Sequence, residues 1–263
     1  MIRVGIGGWT YAPWRGTFFP KGLAHAKELH FASRALSAIE INGTYYSTMK
    51  PQSFQKWHDE TPDDFVFSVK ASRFSTNRKE LASAKDSIDR FISSGLSALG
   101  DKLGPILWQF APTKKFDAED FEAFLALLPK SLERRTLRHA LEVRTDTFVC
   151  EEFIALARKY NAAIVLADSD KYPLIADVAA DFLYLRLQRS SEKYEWGYSP
   201  AAIKSWAERA QAWSKGSAPK DLKTLAKPAK AAKSRDVFVF MIGGDKIRAP
   251  AAAQALLKQL SRA

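Results

Sequence analysis

Eight short β-rich runs alternate with amphipathic stretches along the 263 residues, and this alternation predicts an α/β fold, a single (β/α)8 TIM barrel. Several runs are almost continuously apolar, such as VFVFMI at 237–242 and AAIVLA at 162–167, which is typical of parallel strands covered on both faces. The length also suits one barrel of about 250 residues. A doubly wound sheet is the alternative, but the first strand and turn, GIGGW at 5–9, lack the third glycine of a dinucleotide-binding loop.

The predicted strands share β-branched and aromatic residues bounded by turn-forming positions. They lie at residues 3–9, 38–46, 65–72, 104–112, 138–144, 162–168, 182–188 and 236–244. The predicted helices carry apolar residues at three- and four-residue spacing, at 25–37, 118–128, 151–160, 200–213 and 250–260, and a further helix carries His58. Pro200 and Pro250 suit the first helical position, and Ser199 is a suitable cap.

A lysine-rich insertion before the last strand, at 215–235, holds seven basic residues against one acidic residue, which is more than half of the net charge of +11. The basic residues are Lys215, Lys220, Lys223, Lys227, Lys230, Lys233 and Arg235. The segment is also rich in alanine and proline, so it is predicted to be a flexible, solvated loop within one domain spanning 1–263. We expect it to be dispensable for folding, although a contact with nucleic acid stays open.

The cysteine count and the hydropathy exclude several classes of protein. A single cysteine, Cys150, excludes an intramolecular disulfide framework and a multi-cysteine zinc site, and it fits a reducing cytoplasm. No apolar run approaches the roughly 20 residues that cross a bilayer, so no membrane partner is expected. The opening residues MIRVGIGGW read as a strand rather than a signal peptide, and the predicted location is cytoplasmic.

Motifs along the chain resemble those of the YecE-like family of uncharacterised proteins. The first is GGWxYxxWxGxFFP at 7–20 and the second is IEINGTYY at 39–46. The similarity continues through Trp57, Thr61-Pro62, FxFxxK at 65–70, LxQxxP at 107–112, ExR at 142–144 and YxR at 184–186. The resemblance covers essentially the whole chain and implies a TIM barrel, without naming an activity.

The sequence departs from the pattern of that family at four places. Thr145, Thr76-Asn77 and Gln188-Arg189 stand where the family usually has a histidine-containing motif, and Ile242-Gly243 stands near an expected asparagine pair. A mechanism that needs those side chains is therefore not expected here.

Polar residues at the carboxyl ends of the predicted strands form the candidate site, because barrel sites are built at that face. They are Glu40, Asn42, Lys70, Gln109, Glu142, Arg144, Asp168, Arg186 and Gln188. The pairs 40/42, 142/144 and 186/188 are two residues apart, so each pair points to one side of its strand. Glu142 and Arg186 are predicted to belong to one coupled network.

The residue types indicate a small anionic ligand. Glu40, Glu142 and Asp168 are the candidate catalytic acids or bases, and the cations Lys70, Arg144 and Arg186 are the candidate anion clamp. An ion-pair layer inside the barrel that serves packing alone is the alternative. A hard cation on the three carboxylates also stays open, and no metal ligand is assigned.

Histidine and cysteine chemistry have less support in the sequence. His25, His30, His58 and His139 are predicted away from the carboxyl ends of strands, so a multi-histidine zinc cluster is not expected. Cys150 has no histidine predicted beside it and is interpreted as an unreactive thiol.

Aromatic residues crowd the same predicted face, and among them Tyr11, Trp14 and Tyr45 are candidate binding residues. The turn GGDK at 243–246 could hold a phosphate with Lys246, although a ligand-free glycine turn is the commoner reading.

Taken together, the sequence predicts an enzyme acting on a small anionic or sugar-like substrate at the barrel mouth. A nucleic-acid-binding or processing protein and a non-catalytic small-molecule binder are the alternatives. No cofactor and no oligomeric state are predicted.

Overall fold

Eight parallel strands form the closed barrel that the alternating pattern predicts, in a computed structural model that describes residues 1–229 and 232–262. Lys230, one of the basic residues of the predicted insertion, lies outside the described residues. In chain order the strands are β1 Ile2–Gly7, β2 Ala38–Ile41, β3 Val66–Lys70, β4 Leu103–Gln109, β5 Ser131–Leu132, β6 Arg135–Thr136, β7 His139–Glu142, β8 Ala163–Asp168, β9 Phe182–Leu187 and β10 Asp236–Met241. The barrel runs in the order β1-β10-β9-β8-β7-β4-β3-β2, and β5 and β6 form a separate antiparallel pair.

Helices cover the outside of the barrel. They are α1 Glu28–Ala35, α2 Pro51–Glu60, α3 Arg73–Thr76, α4 Lys85–Ile92, α5 Ala118–Leu127, α6 Glu151–Lys159, α7 Pro200–Ser214 and α8 Ala249–Leu260. Ser199 caps α7 by accepting a hydrogen bond from the amide of Ala202, as its position before Pro200 predicts. Residues 169–181, between β8 and β9, contain no helix, which the alternation did not predict. Helices α3 and α4 were also not predicted. α3 is a single turn with one apolar residue, whereas α4 carries Ile88, Phe91 and Ile92 at helical spacing, a signal that was overlooked.

The predicted strand at 38–46 is too long. The chain leaves β2 after Ile41 and turns at Gly43–Tyr45. The turn is held by Thr44, whose hydroxyl donates to the carbonyl oxygen of Lys70 at 2.6 Å. This side-chain hydrogen bond to β3 takes the place of the backbone hydrogen bonds that would otherwise continue the pairing of β2 with β3.

The alternation of side chains divides the apolar residues into two clusters. The inner cluster fills the barrel with Ala38, Val66, Leu107, Ala140, Ala163, Val165, Phe182, Tyr184, Phe238 and Phe240. The outer cluster packs the other face of the strands against the helices. Gly5 of β1 leaves the space that closure needs, because a Cβ there would lie 2.0 Å from the carbonyl oxygen of Ala38.

Parts of the predicted insertion contact the barrel. Buried Asp177, which follows β8, accepts hydrogen bonds from the amides of Leu225 and Ala226, each at 2.9 Å. Arg209 of α7 pairs with Asp221 at 2.7 Å, and Leu222 packs against the outer cluster. The flexibility of the insertion stays a prediction.

None of the helices in the described ranges is long and apolar enough to cross a bilayer.

Candidate functional site

The inner face of the barrel changes from apolar to polar towards the carboxyl ends of its strands. Glu40 lies two residues after Ala38, Glu142 two residues after Ala140, and Arg186 two residues after Tyr184. Because side chains two apart share a face, the strands that build the apolar core also deliver these charges to the mouth. The sequence positions alone predict this placement.

Arg186 lies between two buried carboxylates. Its Nη1 donates to both oxygens of Glu142, at 2.6 and 2.7 Å. Its Nε and Nη2 donate to Glu40, at 3.1 and 3.0 Å. Both glutamates are fully buried, and Arg186 is 3% exposed. The predicted pairing of Glu142 with Arg186 is confirmed, and the three side chains form what we call the Arg186 triad, Glu40–Arg186–Glu142.

Two hydroxyl groups, which the sequence did not point to as site residues, support Glu40 from the interior of the barrel. The Tyr184 hydroxyl donates to Glu40 at 2.7 Å, and it lies 2.7 Å from the Ser68 hydroxyl, which donates to the carbonyl oxygen of Pro105. The signal was available, because Tyr184 precedes Arg186 and Ser68 precedes Lys70 by two residues on the same strand face.

Glu142 and Arg186 are held in their charged forms. Burial alone would raise the pKa of Glu142, but the charges of Arg186 and Arg144 outweigh it and hold that pKa below its ordinary value. Burial would lower the pKa of Arg186, but Glu142 and Glu40 raise it above its ordinary value. A carboxylate with a depressed pKa is a poor general base near neutral pH. Glu142 is therefore a source of fixed negative charge rather than a proton carrier.

Lys70 ends β3 beside this triad without a carboxylate of its own. Among the residues that the structure describes, none accepts a hydrogen bond or forms an ion pair with its ammonium group, which lies 4.2 Å from the centre of the Tyr45 ring. Burial, together with the nearby charge of Arg186, lowers the pKa of Lys70 to about 8, although Glu40 and Glu142 oppose the shift.

Arg144 is the second cation at the mouth with unsatisfied bonding capacity. Its Nη2 donates to Gln109 Oε1 at 2.6 Å and lies 3.4 Å from Glu142 Oε1, an oxygen that Arg186 already holds. Its Nε is buried and has no hydrogen-bond partner in the described part of the chain. The Tyr172 ring lies 4.4 Å from its guanidinium carbon, and Gln188 reaches Glu142 at 3.5 Å.

Asp168 does not join the other two carboxylates. It ends β8 after Ala167, and its neighbours Ile164 and Leu166 on the same face belong to the outer cluster. Its partner is Arg189, at 3.4 Å. Burial raises the pKa of Asp168, and the charge of Arg189 opposes that shift. The three predicted carboxylates therefore do not meet, because Asp168 lies on the outer face of its strand whereas Glu40 and Glu142 lie on the inner faces of theirs.

A separate cavity of about 400 Å³ lies at the mouth beside β1 and β2 and brings three other candidates together. Tyr11, Asn42 and Lys246 all line it. The Lys246 ammonium lies 4.4 Å from the centre of the Tyr11 ring, and Asn42 donates to the carbonyl oxygen of Glu40 at 3.3 Å. Trp14 does not line it, because its ring is fully buried and its Nε1 donates to the carbonyl oxygen of Lys246.

The turn at 243–246 packs against the chain after β9. A Cβ on Gly244 would lie 2.3 Å from the carbonyl oxygen of Ser190, and the Ser190 hydroxyl donates to the carbonyl oxygen of Gly243. The close approach of two backbones accounts for this glycine. A phosphate is not needed to explain it.

Metal-ligating groups are not clustered in the described ranges, where no three of the side chains of histidine, cysteine, aspartate and glutamate lie together as a metal site would need. His139 begins β7 at the opposite end of the barrel, where it accepts a hydrogen bond from Trp108. Burial lowers the pKa of His139 to about 4, so its ring is neutral and serves packing.

Residues 3–263 match the family described as "Protein of unknown function DUF72". The UPF0759 protein YunF of Bacillus subtilis is 29% identical over 117 residues, and the UPF0759 protein YecE of Escherichia coli is 26% identical over 151 residues. These matches cover 43% and 56% of this chain but only 40% and 50% of those proteins, so the chain spans about half the length of the curated relatives or less. They confirm the resemblance predicted from the motifs.

Solved structures show the same fold. A DUF72 family protein from Thermotoga maritima aligns over 100% of this chain and 98% of its own, with a TM-score of 0.75 and 21% identity. A DUF72 family protein from Enterococcus faecalis aligns over 99% of this chain and 96% of its own, with a TM-score of 0.73 and 16% identity.

Proposed function

Since the chain belongs to the DUF72 family, whose description names no activity, we propose its function from its own barrel mouth: it is an enzyme that acts on a small anionic substrate. The Arg186 triad, Lys70 and Arg144 together hold three cations and two carboxylates, which leaves one excess positive charge. A buried positive charge without a partner destabilises the protein unless an anion neutralises it. A bound carboxylate or phosphate would supply the missing charge.

The observation that carries the proposal is the unused bonding capacity of the two outer cations. Lys70 lacks a hydrogen-bonding or ion-pairing partner in the described chain, and the buried Nε of Arg144 has no acceptor there. Exposure also increases outward, from fully buried Ser68 to Lys70 at 6% on the same strand. A ligand arriving from the loops would therefore meet these two cations before it met the triad.

The roles within the site follow from this arrangement. Arg144, with the amides of Gln109 and Gln188, would bind the anionic group, because a guanidinium donates in a plane that matches carboxylate or phosphate. The Arg186 triad would fix the surrounding charge, and Lys70 would carry protons, because its pKa of about 8 is close to neutral pH. In this proposal Glu142 acts electrostatically rather than as a proton carrier, and Glu40 holds Arg186 in place. Asp168, Tyr11, Asn42 and Lys246 would contact outlying parts of a larger substrate.

Thermal unfolding with and without small anions tests the binding part of the proposal. Addition of 10 mM inorganic phosphate or acetate, about tenfold above a millimolar Kd, should raise the wild-type Tm by about 3 °C. The variant Arg144→Gln should lose that increase, because it removes the unsatisfied donor. The same assay with a panel of small phosphates and carboxylates would rank substrate candidates for turnover measurements.

Arg189→Gln is the matched control for this experiment. Arg189 is also an arginine at the mouth, but it already pairs with Asp168 and with Asp170. Its variant should keep the full anion effect. No anion effect on the wild type, or an equal loss in both variants, would contradict the proposed site. Anion binding without turnover of any candidate would leave the non-catalytic binder.

Nucleic-acid binding is a second candidate, favoured by a basic cleft beside the mouth. Arg78, Lys79, Lys114 and Lys115 line it. We rank it second because Lys114 is already paired with Asp120 at 2.6 Å, and Arg78 donates to Ser83 and Ser87.

We also propose a cytoplasmic location, supported by the single, free Cys150.

A further inference from the structure

Resting on the proposed anion site, we infer that Lys70 is a nucleophile that forms an imine with the carbonyl carbon of a small 2-oxo acid, whose carboxylate Arg144 holds. This assigns a substrate class and a type of chemistry to the mouth. It makes Lys70 the reacting group of the barrel.

The position of Lys70 suits a covalent role. It is the last residue of β3, at the end of the barrel where the strands deliver their polar side chains. Its backbone is fixed on both sides, because its carbonyl oxygen accepts from Thr44 and β3 pairs with β2 and β4. Its ammonium group is held against the Tyr45 ring rather than by a carboxylate. A lysine kept for structure alone is normally paired, as Lys102 is in this protein.

The electrostatic surroundings favour the free amine. Imine formation requires a neutral amine, and enzymes obtain it by burying a lysine or placing it beside another cation. Both conditions hold here, because burial and the charges of Arg186 and Arg144 lower the pKa of Lys70 to about 8. At neutral pH about one tenth of the molecules would then carry the neutral amine, compared with roughly one in three thousand for an ordinary lysine.

The proposed reaction balances without any redox partner. The nitrogen lone pair of neutral Lys70 attacks the carbonyl carbon, a C–N bond forms, and the carbonyl π electrons move to oxygen. One proton passes from nitrogen to that oxygen and gives a carbinolamine. The hydroxyl then leaves with the second amine proton as water, and the C=N bond of the imine remains.

The neighbouring side chains suit a 2-oxo acid rather than a neutral carbonyl compound. A carboxylate next to the carbonyl would accept from the guanidinium group of Arg144, whose side chain is 16% exposed, and from the amide of Gln188 while the carbonyl carbon faces Lys70. When Lys70 is neutral, the charges of the remaining two arginines and two glutamates balance. The carboxylate is therefore recognised by hydrogen bonds from Arg144 and Gln188 rather than by neutralising an excess charge.

Reductive trapping tests the inference directly. The full chain is incubated at pH 7 with glyoxylate and sodium cyanoborohydride, which reduces an imine to a stable secondary amine, and each modified lysine is quantified by peptide mass spectrometry. Lys70 should be labelled at least about tenfold faster than exposed lysines such as Lys85. Its labelling rate should level off above about pH 8, whereas that of the exposed lysines continues to rise.

Two comparisons separate this inference from the proposed function. Lys102 is the matched buried lysine, since it is 4% exposed but donates to the carbonyl oxygens of His58 and Thr61, and it should stay unlabelled. Arg144→Gln should slow glyoxylate labelling of Lys70 about tenfold more than labelling by propionaldehyde. The loss of the Arg144 charge, which helps to lower the pKa of Lys70, affects both reagents, whereas the loss of the carboxylate-binding group affects glyoxylate alone.

The possible outcomes distinguish a failure of the imine from a failure of the anion site. Labelling of Lys70 no faster than that of Lys102, in a protein that anions still stabilise, would overturn the imine and leave the anion site standing. Equal labelling by glyoxylate and propionaldehyde in the wild type would overturn the 2-oxo acid assignment. Fast, Arg144-dependent labelling supports both parts.

Discussion

At the scale of single residues, the charged form of Lys70 lowers the free energy of unfolding, whereas most buried side chains raise it. Its folded-state pKa of about 8 lies below the ordinary 10.5. Between these two pH values the unfolded chain binds more protons, so the free energy of unfolding rises with pH across that window. Below pH 8 the charged lysine destabilises the fold by about 3 kcal/mol.

Lys70→Met should therefore stabilise the protein. At pH 7 we expect the free energy of unfolding to increase by about 1 to 3 kcal/mol, because the remaining cluster is neutral. The difference from wild type should vanish as the pH approaches 10.5. Denaturant unfolding at pH 7 and pH 10 measures it. Lys102→Met is the control and should destabilise by about 1 to 3 kcal/mol, because it leaves the buried carbonyl oxygen of Thr61 without a donor. A Lys70→Met protein that is less stable at pH 7 would refute this account.

Arg186, in contrast, stabilises the folded protein. Arg186→Met leaves Glu40 and Glu142 buried beside each other, and we expect a loss of about 3 to 5 kcal/mol at pH 7. The loss should shrink towards pH 4, since protonation neutralises the two carboxyl groups. Chemical denaturation across this pH range measures both effects. A loss that does not depend on pH would indicate that lost packing, rather than charge, is responsible.

At the scale of elements, strand parity explains both what the sequence predicted and where it failed. Counting in twos from the apolar core places Glu40, Glu142 and Arg186 on one inner face, and the structure agrees. Taking the last polar residue of each strand ignores parity, and that is why Asp168 was grouped with them. The aromatic rings that pack against Lys70 and Arg144 could not be assigned to them from the sequence, because Tyr45 and Tyr172 come from loops whose paths depend on tertiary contacts.

The insertion is attached to the barrel through the two hydrogen bonds that Asp177 accepts. Replacing 218–233 with a short Gly/Ser linker is expected to lower the Tm by only a few degrees, and much of that loss should come from Asp177, left buried without its two amide donors. Adding Asp177→Ser should recover most of the loss, as thermal unfolding of both proteins would show. A larger loss that Asp177→Ser does not recover would mean that Leu222 carries the contact.

The same linker protein tests the nucleic-acid candidate. If the insertion contacts nucleic acid, its removal should weaken retention on heparin and reduce the salt dependence of DNA binding. Unchanged retention would leave the basic cleft beside the mouth as the surface to examine.

At the scale of the whole molecule, the eightfold alternation was enough to predict the barrel, because parallel strands covered on both faces leave a strong apolar signature. The charge of +11 was less informative, since more than half of it lies in one segment. The positions of the charged residues at the barrel mouth, rather than the net charge of the chain, are what favour a small anionic ligand.

Closure of the barrel also bears on how the chain folds. The seam joins β1 to β10, where Arg3 lies opposite Phe238. Every other junction of the barrel joins strands that are much closer in sequence, including β4 and β7, between which only α5 and the β5–β6 pair intervene among the helices and strands named above. Pairings between distant residues are slow, because a long loop must close before they form. During synthesis β1 therefore emerges with one of its two edges unpaired and stays so until β10 has been made, and in that interval the exposed edge is open to chaperones and to aggregation.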